Sequence, residues 1–218
     1  MQLPFTEAEF LDAFARYNRM LWPGAIALWI ASLLLVARAV PGRRPMPRAL
    51  SSLLAIHFAW SAGYHVMFFA PINPAAWLFA GLFAIEAALF IRLGMVGRQL
   101  QFRVEHDRST AAYGLIVYSL AYPMINVLTG LSYPRMPTFG VPCPTTIFTA
   151  GVLLLAHRPP ALLLVVPVLW SLIGGSAALL LGVRADLMLP VAGTMLLVQA
   201  ARSRQRPSRE AYGLSGQV

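Results

Sequence analysis

The 218-residue chain contains no lysine, a single cysteine and few charged residues of either sign. Only 11% of its residues are charged, whereas a soluble domain carries about 25%. Without lysine, the chain cannot hold retinal through a Schiff base. With Cys143 alone, it can form neither an intramolecular disulfide nor a metal site of the paired-cysteine type. These absences exclude an ordinary soluble domain, a retinal protein and a disulfide scaffold.

Apolar residues make up 58% of the chain and form several runs long enough to cross a bilayer. Backbone groups in lipid must be hydrogen-bonded within the protein, so these runs are predicted to be helices. We expect an all-α, polytopic integral membrane bundle of seven transmembrane helices, near residues 20–40, 49–70, 75–94, 111–132, 145–157, 160–182 and 186–201. The fifth span is short for a crossing, unless residues 141–144 dip into the protein.

An amphipathic helix is predicted over residues 5–18, before the first span. Thr6 and Glu9 have the spacing of a capping box, and Phe5 and Phe10 that of a hydrophobic staple. Aromatic residues recur at helical spacing up to Tyr17 and give this helix one aromatic face. Such a helix is expected to lie in the membrane interface. The alternative is an element that covers the outer mouth of the bundle.

The arginines alternate between the predicted connections, which indicates an outside N-terminus and a cytoplasmic C-terminus. Thirteen belong to the cytoplasmic side: Arg38, Arg43, Arg44, Arg48, Arg92, Arg98, Arg103, Arg108, Arg158, Arg202, Arg204, Arg206 and Arg209. Four lie opposite: Arg16, Arg19, Arg135 and Arg184. We therefore assign the net charge of +9 to orientation and to contacts with lipid headgroups, and expect no nucleic-acid partner. Residues 1–202 are predicted to form one transmembrane domain, followed by a disordered basic tail at 203–218.

Glu86 lies in the middle of the third predicted span, where an ionised carboxylate cannot face lipid. It is expected to face the interior of the bundle, within reach of a polar group such as His57 at a similar depth. The pair would be either a structural clasp between two helices or part of a functional site.

Polar residues and helix breaks collect on the predicted outer side. Prolines interrupt residues 132–146, and further breaks at Pro23, Pro123, Gly174 and Pro190 favour a shallow outward pocket. The alternative is that small residues simply allow close helix packing and that each polar residue caps a nearby helix end. The predicted pocket contains Tyr64, His65, Asn73, Asn126, Tyr133, Cys143, Thr145 and Asp186, with Glu86 and His57 deeper in the bundle.

The predicted pocket offers two kinds of chemistry. Cys143, near the start of the fifth span, could be an activated thiol with His65 as its base. His65, Cys143 and Asp186 are also the weak candidates for a metal site, although no local motif encodes one. No other cofactor is indicated.

Several sequence strings resemble a bacterial family of membrane proteins known only as a domain of unknown function. They include residues 4–6, 17–18, 22–23, 64–65, 68–77, 143–149, 174–178 and 183–187, and the resemblance covers nearly the whole chain. Some relatives carry permease-like names. The resemblance implies a polytopic inner-membrane protein and no particular activity or catalytic residues.

Transport of a small solute or ion is the function that the sequence favours, because it would use a buried carboxylate and helix breaks around an outward pocket. The alternative is a membrane-embedded enzyme or a metal-binding protein that acts at the outer face. The sequence favours a protein without catalytic activity over an enzyme. A non-catalytic subunit or assembly factor is the third. The expected partners are the lipid bilayer, an unidentified small solute or ion, and a second copy of the chain or a membrane complex.

Overall fold

The chain folds as a succession of helices. The computed structural model describes residues 4–38, 46–102 and 106–213, without the side chains of residues 106–109 and 204–213. Over this part of the chain the helices are α1 (Glu7–Ala37), α2 (Pro47–Tyr64), α3 (Ala76–Leu89), α4 (His106–Leu120), α5 (Tyr122–Leu128), α6 (Pro142–Leu155), α7 (Leu162–Leu181) and α8 (Met188–Gly213). The expected all-α class is confirmed for the described residues.

Three irregular segments extend or precede these helices. α2 continues as a π-helical segment, His65–Phe69, and α3 continues as another, Phe90–Val96. A short 3-10 turn, Arg184–Leu187, lies between α7 and α8. π-Helical turns occur often at functional sites, so the start of the first one at His65 directs attention to that residue.

The predicted amphipathic helix and first span form one continuous helix of 31 residues, so the prediction of a separate interfacial helix is wrong. The capping box of Thr6 and Glu9 is present, and the rings of Phe5 and Phe10 stack with centroids 5.8 Å apart. The Tyr17 ring packs on Tyr64, with ring centroids 5.5 Å apart. The aromatic face therefore contacts protein, as the covering-element alternative requires.

A sharp bend of 67° separates α4 from α5. Pro123 stands in the first turn of α5. A proline has no backbone N–H and its ring clashes with the carbonyl four residues earlier, so a straight helix cannot continue through this position. The carbonyl of Leu120, freed by the bend, accepts a hydrogen bond of 2.9 Å from the Trp29 indole.

α6 occupies the centre of the bundle. Every residue from Pro144 to Leu155 is buried, and α6 packs against α4, α8, α7 and α2. A helix that is apolar on all sides and surrounded by other helices needs no contact with lipid. This position explains why the fifth predicted span is short.

Seven membrane spans are not confirmed. Over the described residues, three helices are long and apolar enough to cross a membrane: Glu7–Ala37, Ala76–Val96 and Leu162–Leu181. The bent pair Thr110–Leu120 and Tyr122–Leu128 would make a fourth if it forms one broken span. The other helices are shorter or carry polar side chains. The helices are therefore consistent with a membrane protein, with a smaller number of clear spans than expected.

The C-terminal part of the chain differs from its prediction. α8 extends to Gly213, past Ser203 where order was expected to end, and residues 214–218 lie outside the described part. The predicted cytoplasmic arginines Arg43, Arg44 and Arg103 also lie outside it, as do the side chains of Arg108, Arg204, Arg206 and Arg209.

Candidate functional site

The proline-rich segment, residues 132–141, lies at the end of the bundle where α1 begins and α2 ends. Prolines prevent this segment from forming a helix, so its carbonyl groups need other partners. Side chains from three helices supply them: Asn18 donates to Pro134 and Met136 (2.8 Å each), Tyr17 to Phe139 (3.0 Å), Ser61 to Gly140 (3.1 Å) and Asn126 to Pro137 (2.9 Å). The segment is therefore held in place by buried polar side chains.

Asn18 makes three hydrogen bonds to the proline-rich segment. Its amide nitrogen donates both hydrogens, because both neighbouring atoms are carbonyl oxygens. Its Oδ1 accepts from the Thr138 hydroxyl at 2.6 Å. The Asn18 side chain is buried and uses its whole hydrogen-bonding capacity on one segment.

His57 is fully buried between hydroxyl groups from other helices. The Ser32 hydroxyl donates to the Leu28 carbonyl, so Ser32 Oγ accepts from His57 Nε2, 2.9 Å away. His57 Nδ1 then accepts from Thr145 Oγ1 at 3.3 Å, and Ser61 Oγ lies 3.3 Å from the same Thr145 oxygen. These contacts identify His57 as a neutral imidazole that joins α1, α2 and α6.

His65 is fixed in one tautomer by the backbone of its own helix. Its Nδ1 lies 2.9 Å from the Ser61 carbonyl oxygen, which can only accept, so Nδ1 carries the hydrogen. Its ring packs edge-on against Trp170, with centroids 5.2 Å apart.

The second polar centre surrounds Asp186, a buried residue of the 3-10 turn before α8. Tyr122 donates its hydroxyl to Asp186 Oδ1, and the Cys143 thiol lies beside the same carboxyl. The Trp170 indole approaches the Cys143 sulfur, and Tyr64 lies within electrostatic range of Cys143 and Asp186. We call this group the Asp186 cluster: Tyr64, His65, Tyr122, Cys143, Trp170 and Asp186.

Two polar groups of the Asp186 cluster have no hydrogen-bond partner among the described residues. The first is the Tyr64 hydroxyl, which is buried. The second is the Trp170 indole N–H, which approaches only the Cys143 sulfur, a weak acceptor. Two hydrogen-bond donors are therefore left unpaired in a buried place. Each buried group without a partner costs about 1–3 kcal/mol.

Glu86 faces the interior, as predicted, but the expected hydrogen bond to His57 is absent. The side chain is fully buried, and neither carboxyl oxygen has a partner among the described residues. The neighbouring face of α3 is aromatic: the Phe83 and Phe90 rings pack against Phe58 of α2. His57 turns instead towards the hydroxyls of α1 and α6.

Asn73 and Tyr133 do not join the Asp186 cluster. Asn73 Oδ1 accepts from the backbone of Ala75 at 3.0 Å, a local turn before α3. Tyr133 is exposed, and its hydroxyl lies 3.4 Å from the Asn18 carbonyl oxygen. For these two residues the interpretation as separate local contacts fits better than a shared pocket.

The glycines and proline at the α7–α8 contact also have a packing role. A Cβ atom at Gly174 would lie 2.8 Å from Leu189 Cδ1, and one at Gly175 would lie 2.7 Å from Pro190 Cγ. The absence of side chains therefore lets these helices approach closely.

A metal is not supported by a complete set of ligands. Within the described ranges, no group of three or more His, Cys, Asp or Glu side chains is placed to hold a metal ion. His65 meets Trp170 rather than the Cys143 thiol, and no hydrogen bond joins His65 to that thiol.

Sequence reasoning missed Tyr122 and Trp170, although both contact the predicted residues. Each lies in an apolar helix where an aromatic residue is the expected filling of a core, so its polar atom gives no local signal. Tyr122 is adjacent to the helix break at Pro123, which is the one feature that could have drawn attention to it.

The profile of a family of unknown function, DUF6064, matches residues 7–211. The chain belongs to this family. The match begins at the start of α1 and ends within α8, it includes every residue of the Asp186 cluster, and it confirms the resemblance to a domain of unknown function. No curated protein and no solved structure matches the chain. Membership of DUF6064 covers nearly the whole chain but assigns no activity. The function therefore has to be inferred from the site.

Proposed function

We propose that the protein is a membrane carrier that binds a small polar solute or ion at the Asp186 cluster and moves it together with a proton taken up by Glu86. The observation that carries the proposal is the pair of unpaired polar groups in the cluster, the Tyr64 hydroxyl and the Trp170 indole N–H. Buried polar groups are ordinarily paired. A bound solute would provide the partners that the protein does not.

The chemistry of the cluster limits the kind of solute. Asp186 is the only acidic residue of the cluster, and the cluster contains no arginine. Arg16 lies near Tyr64, where it hydrogen-bonds to the Phe68 carbonyl, whereas Asp186 lies beside Tyr122 and Cys143. An anionic solute would meet the Asp186 carboxyl, so we infer a neutral or cationic solute. The unpaired donors of Tyr64 and Trp170 favour a solute that accepts hydrogen bonds.

Glu86 fits the role of a proton carrier. A carboxylate in an apolar surrounding without partners is strongly disfavoured, so the group stays uncharged until the bundle opens. It can release its proton when water or a solute reaches it. A structural clasp would instead have shown a hydrogen-bonded neighbour.

Catalysis by Cys143 has less support. A thiol nucleophile needs a base that holds it ready for attack. Asp186 is the acidic group that contacts the thiol, while His65 contacts Trp170. A carboxyl group beside a thiol is not the positive or basic neighbour that activates a cysteine.

We further propose that the chain crosses a bacterial inner membrane seven times, with the N-terminus outside and the C-terminus in the cytoplasm. The alternation of arginines supports this orientation. It would place the buried Asp186 cluster in the outer half of the bundle, on the side from which a solute would enter.

Proton flux in proteoliposomes tests the carrier proposal. The purified protein is reconstituted with a pH-sensitive dye inside, and sodium ion, choline, urea and a mixture of neutral amino acids are supplied outside in turn. We expect at least one of these probes to drive a proton flux above that of protein-free liposomes. Glu86→Gln and Asp186→Asn should each abolish that flux.

The matched control is Ser176→Ala, which removes an exposed hydroxyl of α7 that hydrogen-bonds only to its own helix. This variant should keep the full flux. An absence of flux with all probes, or equal flux in the wild type and the Glu86→Gln variant, would contradict the proposal.

A further inference from the structure

A large apolar groove runs along the other side of α1, away from the Asp186 cluster. It has a volume of about 1000 Å³ and lies between α1 and the bend of α4 and α5. This volume is at the upper end of the ~300–1,000 Å³ typical of small-molecule sites. α1 packs on α2 and its π-helical continuation, and on the groove side the Trp29 indole reaches the Leu120 carbonyl at the bend.

The groove has a polar end and a long apolar body. Asn18, Tyr133 and Thr138 line the polar end, beside the proline-rich segment. Trp22, Ile26, Trp29 and Leu33 line the body along α1. From Asn18 to Leu33 the helix rises about 22 Å at ~1.5 Å per residue, more than the ~15 Å depth of one hydrocarbon leaflet.

An unpaired cation lies at the polar end. Arg19 is exposed and has no hydrogen-bond or ion-pair partner among the described residues. It precedes Trp22 by three positions and Ile26 by seven, so it belongs to the same face of α1 as these two groove residues. Arg135, next to the groove residue Met136, is paired with Asp12 at 3.0 Å and adds no free charge.

This arrangement matches the phosphate group and the acyl chains of a phospholipid. An anionic phosphate fits the unpaired guanidinium of Arg19, whereas the hydrogens of Asn18 and Thr138 are already donated to protein oxygens. Trp22 follows Arg19 by one turn of α1, and tryptophan is common at the boundary between headgroups and acyl chains. The apolar body of the groove fits acyl chains. A zwitterionic lipid would fill the channel equally well but would gain less from Arg19.

We propose that the groove binds one anionic phospholipid, with its phosphate at Arg19 and its acyl chains along Trp22, Ile26 and Trp29. The inference depends on embedding in a membrane and not on the carrier function. The site would hold a structural or regulatory lipid at the contact of α1 with the α4–α5 bend.

Native mass spectrometry of the detergent-purified protein tests the inference, with phosphatidylglycerol and phosphatidylcholine of identical acyl chains as probes. We expect one phosphatidylglycerol to bind about fivefold more tightly than phosphatidylcholine, the effect of about one arginine near a headgroup. Arg19→Gln should remove this preference. The control Arg184→Gln, which changes another exposed arginine outside the groove, should keep it.

A second pair of variants tests the channel itself. Val117 lines the groove and is exposed, so Val117→Trp should fill the channel and weaken binding of both lipids without disturbing the core. Val165→Trp places the same ring on exposed α7 surface and should leave binding unchanged. Equal affinity for the two lipids in the wild type, or unchanged binding in both Arg19→Gln and Val117→Trp, would overturn the inference.

Discussion

The hydroxyl of Tyr122 donates to the carboxyl of Asp186, a residue 64 positions further along the chain. The bond joins α5, just beyond the helix break, to the turn that precedes α8. Cys143 at the start of α6 contacts the same carboxyl, so three elements meet at one acidic side chain. The Asp186 cluster is thereby both a structural junction and the best candidate for a binding site.

Tyr122→Phe is expected to destabilise the protein by about 1–3 kcal/mol, because it leaves a buried carboxyl without its donor. Denaturant unfolding in detergent measures the effect. Combining it with Asp186→Asn in a double-mutant cycle should show that the two changes are not additive. Tyr133→Phe, at an exposed tyrosine, is the control and should change stability little. Additive effects of Tyr122→Phe and Asp186→Asn would mean that the contact has no energetic weight.

Glu86→Leu is expected to stabilise the fold while it abolishes function. The carboxyl is buried without partners, so an apolar side chain of similar size removes a desolvation cost without breaking a bond. Thermal unfolding should show a higher midpoint than in the wild type, and Glu86→Gln should lie between the two. A strong loss of stability in Glu86→Leu would instead indicate a partner for the carboxyl and a structural clasp.

Asn18→Ala should loosen the proline-rich segment, because three hydrogen bonds from one side chain disappear. Cys143 reports this change directly, since it is half-buried close to the segment and is the only cysteine. Its reaction with a maleimide should become at least several-fold faster in Asn18→Ala. Asn73→Ala, which removes only a local turn contact, should react at the rate of the wild type. Equal rates in Asn18→Ala and the wild type would show that the segment is held by other contacts.

The orientation can be tested by cysteine labelling in a Cys143→Ser background. A cysteine placed at Ser208 should react with a membrane-impermeant maleimide only after the cells are opened. A cysteine placed at exposed Ser132 should react in intact spheroplasts. Labelling of the Ser208 position from outside would reverse the proposed topology.

Local sequence signals predicted local structure well. The spacing of Thr6 and Glu9 predicted the cap of α1, and the isolation of Glu86 in an apolar run predicted that it would be buried. Contacts between helices were harder to predict, because the sequence of one helix does not determine how that helix is rotated against its neighbour. His57 was therefore assigned to Glu86, whereas the structure places it against Ser32 and Thr145.

The number of membrane spans was not confirmed for a related reason. Apolar composition cannot tell a helix in lipid from a helix surrounded by other helices, and α6 is of the second kind. Likewise, Trp170 and Tyr122 looked like core aromatic residues, and only the fold brings their polar atoms to Cys143 and Asp186.

Modification of Cys143 during transport tests most directly whether the Asp186 cluster binds the transported solute. Because Cys143 is the only cysteine, a membrane-impermeant thiol reagent added outside proteoliposomes can react at this position alone. A solute that uses the cluster should lose its path when the thiol carries a bulky group. We predict that the reagent stops the solute-driven proton flux of the wild type and leaves that of Cys143→Ser unchanged. Complete modification of Cys143 with the wild-type flux intact would show that no solute passes through this cluster.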